Sequence, residues 1–219
     1  MSRRDNAVNR CRRCRLHASL CMCALIPELV TRTRLLLIIH RYEDRKSTNT
    51  GRLASVCLPN SEVLVRGHAG APTLPLAFPP DTQPLLLFPH EDALPLTAFR
   101  GGAPVTLIVP DGNWRQASRV RRRVPGLAKL PCVALPAGAP SRYRLRSEVH
   151  SHGLATCEAI ARALGILEGP DVQRALERVF QIMVERVRWA RGEIDRAEVT
   201  AGIPAGSQRH DPQSGVSAR

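Results

Sequence analysis

Leu107–Arg123 reads LIVPDGNWRQASRVRRR. Leu107, Ile108, Val109 and Pro110 are residues any core can bury. The run then delivers a carboxylate (Asp111), a glycine (Gly112), an amide (Asn113) and an indole (Trp114) to one turn. Arginines follow on an expected helix, NWRQASRVRRRV, closed by Pro125. A continuous aliphatic strand running into a helix is the building unit of a parallel sheet covered on both faces. Working outward, RLLLIIH (34–40), LLLFP (85–89) and VTLIVP (105–110) read as buried strands, the last two stopped by Pro89 and Pro110. SEVLVRG (61–67) and PCVALP (131–136) read as shorter ones, and the proline-rich 68–84 as loop. The expected class is α/β, a mostly parallel sheet flanked by helices. Ligands of such sheets bind beyond the carboxyl ends of the strands, where Asp111 falls.

Two amphipathic helices are expected in the C-terminal half. TCEAIARALGILEG (156–169) has Thr156 as its N-cap and Gly169 just past its end. DVQRALERVFQIMVERVRWARG (171–192) is capped by Asp171. Its stripe of Val172, Leu176, Val179, Met183, Val187 and Ala190 is core packing. From residue 200 the composition turns to that of a disordered tail.

The 219 residues carry a formal net charge of +13. That balance favours a polyanionic partner such as RNA or DNA. The arginine bias itself says little; only Lys46 and Lys129 are lysines. No apolar run reaches the roughly 18 residues that span a bilayer, and no apolar segment follows the N-terminal arginines at once. The expectation is a cytosolic (cytoplasmic) protein with no membrane partner.

Seven cysteines are an odd number for a disulfide framework. Four of them, Cys11, Cys14, Cys21 and Cys23, form C-x2-C-x6-C-x-C. Paired thiolates on a short loop are what tetrahedral zinc requires, and a segment this small has no core of its own to hold it together. A structural or RNA-orienting Zn2+ site is expected, with His17 able to replace one thiolate. Cys57, Cys132 and Cys157 lie in apolar stretches and read as core.

Three polar clusters remain. STNTGR (47–52) sets Thr48, Asn49, Thr50 and Arg52 around Gly51. It offers hydroxyls, an amide and backbone N–H groups to a carboxylate or phosphate; a capped helix start is the commoner explanation of such a turn. SRYRLRSEVHSHGLAT (141–156) alternates Arg142, Arg144 and Arg146 around Tyr143, as a strand with one basic face would. It ends on Gly153 ahead of Thr156, a pocket for an anionic group. Asp111 itself reads either as a partly desolvated base or as a plain N-cap. Trp114 reads either as a stacking face for a nucleobase or sulfonium or as packing.

In order along the chain, CxxC…CxC, TNTGRLA…LPN, LLFP, PDGNW, RYRLR, GLATCEAIA and MVERVRWARG resemble the DTW-domain family, from about Cys11 to Gly192. The resemblance implies a tRNA-uridine aminocarboxypropyltransferase. S-adenosylmethionine, the co-substrate, would donate its 3-amino-3-carboxypropyl group to N3 of a tRNA uridine and leave as methylthioadenosine. It also implies a fold related to the knotted methyltransferases. Asp111, Asn113 and Trp114 become the catalytic candidates, with Asp111 as base or orienter. Thr48, Asn49, Thr50, Gly51, Arg52, Pro89, Pro110, Gly112, Gly153 and Thr156 become the donor-binding candidates. Where the family reads Asp-x-Thr-Trp, this chain has Asn113 in place of threonine. Residues 1–30 would be a four-cysteine zinc-binding segment, 31–199 the α/β catalytic domain and 200–219 the tail. A zinc-containing RNA adaptor and a knotted-class RNA methyltransferase are the alternatives.

Overall fold

Arg34–His40 forms strand β1, and its five central residues are all buried. The run shows no alternation because helices cover both faces of the sheet. The structure is a computed structural model that describes residues 9–68, 76–145 and 153–209. The other strands are β2 (Ser61–Arg66), β3 (Gln83–Leu87), β4 (Leu94–Pro95), β5 (Val105–Asp111) and β6 (Cys132–Ala134). Their order is β2-β1-β5-β3-β6-β4, with every pairing parallel. The α/β class and the parallel sheet are as the sequence implied. Strand β4 is an addition: two residues on the edge, where the missing N–H of Pro95 costs no ladder bond.

Side chains alternate across each strand, and the two sets meet different partners. Leu35, Leu37, Ile39, Leu107 and Val109 share a core with three helices: α2 (Thr50–Cys57), α5 (Thr156–Leu167) and α6 (Pro170–Ala190). Leu36, Ile38, Leu86 and Ile108 face a smaller core with Val120, Val124 and Leu127. Short helices α3 (Trp114–Ser118) and α4 (Val120–Arg123) lie there, and a single turn α1 (Arg41–Asp44) follows β1. The α6 stripe packs as expected, with Leu176, Val179, Met183, Val187 and Ala190 buried.

Four local expectations are corrected. The helix after Asp111 is broken at Arg119, which ends α3 and begins α4. Ala155, not Thr156, is the N-cap residue of α5. Its N–H is satisfied by Glu158 Oε2 at 2.9 Å, which frees the Thr156 hydroxyl for another partner. Helix α6 starts one residue before Asp171, at Pro170, a favoured first helical residue. Gly169 between the helices has φ +124°, a conformation open to glycine. Arg142 and Arg144 lie in loop and turn rather than strand, because Glu158 takes the Ser141 hydroxyl and the Arg142 N–H at 2.5 and 2.7 Å. Arg146, with Glu148, His150 and His152, lies outside the described residues.

Of the stretch expected as tail, Ser207 donates to the Ser19 carbonyl at 2.6 Å and Arg209 pairs with Asp195 at 3.2 Å. Residues 210–219 lie outside the described ones. Among the described residues no helix is long and apolar enough to cross a membrane.

Candidate active site and metal centre

From β1 the chain passes through α2 to β2 on one side; from β5 it passes through α3 and α4 to β6 on the other. β1 and β5 are neighbours, so their carboxyl ends flank the point where the winding reverses. Open parallel sheets bind ligands at such a point. Asp111 is the last residue of β5 and sits across from Ile39.

The Asp111 side chain is buried and cross-links two helix starts. Asn49 Nδ2 donates to its Oδ2 at 2.6 Å, and Thr156 Oγ1 donates to its Oδ1 at 2.6 Å. Asn49 is also the N-cap of α2, its Oδ1 accepting the Arg52 N–H at 2.9 Å. One amide therefore caps through its oxygen and braces through its nitrogen, which an ionised aspartate in its place, an acceptor only, would not do. Gly51 lets the helix come this close: a Cβ there would lie 2.6 Å from Asp111 Oδ2 and 3.0 Å from Leu37 Cδ1. Thr48 and Thr50 are buried beside it. The Thr48 carbonyl accepts from the Tyr143 hydroxyl at 2.8 Å, and Thr50 Oγ1 accepts the Cys157 N–H at 3.3 Å.

Asn113 is engaged in its own helix. Its Oδ1 accepts the Gln116 N–H at 2.9 Å while Gln116 Oε1 accepts the Asn113 N–H at 3.0 Å, a reciprocal cap of α3. Threonine and asparagine both perform that capping, which gives the departure at this position a structural reading. Gly112 leaves room for the same glutamine; a Cβ would lie 2.8 Å from Gln116 Oε1. Trp114 is 38% exposed, its ring 5.8 Å from Phe88 at the end of β3. Pro89 is exposed just beyond, Pro110 lies within β5 across from Ile38, and Gly153 is buried ahead of α5. Arg52 is held elsewhere: its Nε donates to Asp44 Oδ1 at 2.7 Å, and Asp44 also pairs with Arg15 at 2.9 Å.

Three participants escaped the sequence reading. Glu158 gathers Ser141, Arg142 and Ala155; with alanine rather than serine or threonine three residues before it, no capping-box pattern marks it in the sequence. Tyr143 locks the 141–145 loop onto Thr48, and Asp44 receives two arginines. A cavity of about 550 Å3 lies between residues 135–144 and helices α5 and α6. It reaches Glu158 but not Asp111. Its charged lining is mostly committed, Arg162 to the Ala139 carbonyl, Arg188 to Glu193 and Glu185 to the Thr200 N–H. Asp111 at the winding reversal therefore defines the candidate site.

The four N-terminal cysteines converge. Their sulfurs all lie within 4.8 Å of one another, with Cys11 and Cys23 at 3.4 Å and Cys14 and Cys21 at 3.9 Å. Arg15, at φ +63°, turns the chain between Cys14 and Leu16. Burial pushes the Cys11 thiol up, but backbone N–H groups of Cys14 and Arg13 and the neighbouring thiols outweigh it and bring it down to about 6. Burial and the adjacent sulfurs push Cys14 and Cys23 up. Packed thiols that resist joint ionisation are what a divalent cation stabilises, so the cluster could hold a metal ion. His17 is turned to Ser19 at 2.7 Å instead. Cys57, Cys132 and Cys157 are buried outside the cluster.

Fold and site together define a parallel α/β protein with a buried polar hub at its winding reversal and a four-sulfur lobe. The DTW domain model matches residues 8–188, and the chain belongs to that family. It is 30% identical over 187 residues to tRNA-uridine aminocarboxypropyltransferase 2 of Drosophila melanogaster, covering 79% of this chain and 72% of that protein. It is 28% identical over 190 residues to the protein of the same name from Macaca fascicularis, covering 79% of this chain but 61% of that protein. A third relative, tRNA-uridine aminocarboxypropyltransferase A of Arabidopsis thaliana, is 27% identical over 214 residues, 82% of this chain and 80% of that protein. No solved structure matches the chain. Kinship with knotted methyltransferases therefore rests on the resemblance alone.

Proposed function

We propose that the protein transfers the 3-amino-3-carboxypropyl group of S-adenosylmethionine to N3 of a uridine in tRNA and releases methylthioadenosine. The supporting observation is the Asp111 hub, which fixes the starts of α2 and α5 around the carboxyl ends of β1 and β5. In the reaction N3–H gives up its proton to solvent water and a bond forms from N3 to the donor's γ-carbon. The carbon–sulfur bond breaks, and its electron pair stays on sulfur. Attack at that carbon rather than the methyl is a matter of positioning. The turns 47–51 and 153–156 hold the donor's carboxylate and ammonium. Arg52 supports the first turn through Asp44 and does not touch the donor. Asp111, braced between Asn49 and Thr156, is assigned a positioning role. Zn2+ suits four sulfur ligands and would hold the N-terminal segment, residues 1–30, on an α/β catalytic domain of 31–199. The protein would act in the cytoplasm.

The test is incubation of the purified protein with unmodified tRNA and S-adenosylmethionine labelled in its aminocarboxypropyl chain, followed by nucleoside mass analysis. A uridine carrying the whole chain supports the reading. A methylated nucleoside makes the protein a methyltransferase, and tRNA bound but unmodified makes it an adaptor. Trp114 is assigned to stack on the incoming base. Stacking is worth about 1–3 kcal/mol per base, so Trp114→Ala should raise the KM for tRNA roughly 10- to 100-fold. The donor KM and the melting temperature should hold, because the indole is half out of the core.

A further inference from the structure

Along the carboxyl edge of the sheet, Arg66 ends β2, His40 ends β1 and Asp111 ends β5. At the usual strand spacing Arg66 and Asp111 are about 10 Å apart. Arg66 Nε is buried with no hydrogen-bond partner, and so is Arg41 Nε. The Arg41 guanidinium lies 4.7 Å from the centre of the Tyr42 ring and donates to the Tyr42 hydroxyl at 2.8 Å. Tyr42 is 54% exposed, with the His40 ring 5.2 Å away. Gly67, at φ +90°, passes so close to His40 that a Cβ would lie 2.8 Å from Nε2.

Among the described residues no carboxylate forms an ion pair with Arg41, Arg66 or Arg123. The nearby acids are taken, Glu43 by Lys46 and Asp44 by Arg15 and Arg52. The crowding shows in the protonation equilibria. Burial, then Arg66 and Arg41, hold the His40 imidazole below its usual range, and burial, then Arg123, do the same to the Arg66 guanidinium. Cations gathered beside an exposed aromatic ring, with no acid of their own among the described residues, fit an external anion that carries flat bases.

We propose that Arg41, Arg66 and Tyr42 form a subsite for the nucleotide flanking the target uridine. The two guanidiniums hold its phosphodiester and the tyrosine ring stacks on its base. This rests on the tRNA reading above. Phosphate contacts fix the register of a nucleic acid without reading sequence, and an aromatic beside a basic groove is the usual platform for an unpaired strand.

Binding of an unmodified tRNA transcript would be measured across a range of KCl for the wild type, Arg41→Ala/Arg66→Ala, Arg66→Lys and Tyr42→Ala, with inorganic polyphosphate as a base-free probe. For single-stranded contacts, the double variant should flatten the log Kd–log salt slope by about 1.4 and weaken binding roughly 10- to 100-fold near 0.1 M salt. Arg66→Lys should keep the slope, which separates charge from folding. Tyr42→Ala should weaken tRNA binding several-fold and leave polyphosphate unaffected. A double variant with the wild-type slope overturns the phosphate clamp, and Tyr42→Ala with wild-type tRNA affinity overturns the stacking face. A wild type that shows the salt effect but forms no product removes the enzymatic reading and leaves the subsite standing. Normal product with an unchanged slope does the reverse.

Discussion

Asp111→Ala is expected to abolish detectable transfer and to lower stability by about 2–5 kcal/mol, because a buried donor left unmatched costs about 1–3 kcal/mol. Two donors are stranded at once, the Asn49 amide and the Thr156 hydroxyl. For a chain of this size the melting temperature should fall by roughly 5–15 °C. Asp111→Asn keeps the shape but turns an NH2 toward one of those donors, so it should share the phenotype at reduced size. Gly51→Ala is the complementary change. It keeps the carboxylate and inserts a methyl 2.6 Å from Oδ2. Overpacking of this kind costs about 1–3 kcal/mol, and displacement of the hub by even 1 Å can cost on the order of 100-fold in rate. Because Asp111 is assigned a positioning role, Asn49→Ala and Thr156→Val should lower kcat much as Asp111→Asn does, with the shape of the pH–rate profile retained. If Asp111→Asn alone shifted that profile while the two donor variants remained active, the carboxylate would be acting as the base. An Asp111→Ala protein that melts and transfers like the wild type would remove the hub altogether.

What could be read from the sequence follows from how far each interaction reaches along the chain. β1 and β5 were legible because burial on both faces produces unbroken aliphatic runs, and α6 because its stripe repeats every turn. β4 was not, since two residues carry no period. The loop at Arg142 was not legible either, because a tertiary contact overrides the local pattern there, and nothing in the local pattern marks the break at Arg119. The basic alternation at 142–146 suggested a strand, yet the Arg142 N–H is claimed by Glu158, sixteen residues on. At the site, Asp111, Asn49 and Thr156 were each visible as polar residues next to element ends. That they bond one another, across 62 and 45 residues, is a consequence of the fold. Arg52 shows the same limit: sequence placed it in a phosphate-binding turn, and Asp44 takes its guanidinium.

Stripping the metal should have the other large effect, and it should reach well beyond the N-terminal segment. Leu16, Leu20 and Met22, between the cysteines, are fully buried in the same core as α6 and β1. Loss of the cation would free the loop that holds them there. Structural zinc contributes about 10–16 kcal/mol to isolated fingers. Even a minor share of that, measured against a total stability of about 5–15 kcal/mol, would leave the fold marginal. If the cluster holds zinc as proposed, Cys11→Ser or Cys14→Ser, or prolonged treatment with a strong chelator, is therefore expected to release it and to lower the melting temperature by more than about 10 °C. Arg186 offers a finer probe. It is buried on α6, and its guanidinium donates to the carbonyls of Leu20, Cys21 and Gly202. Among the described residues no carboxylate pairs with it, so a zinc tetrathiolate, which carries net negative charge, would supply the missing countercharge. Arg186→Met should therefore speed zinc loss to a chromogenic chelator while all four sulfurs remain, whereas Arg13→Ala, at the exposed Cys23 carbonyl, should change it little. A purified protein that holds no zinc, melts as one unit and is indifferent to both cysteine substitutions would show that the four thiols are packing rather than ligands.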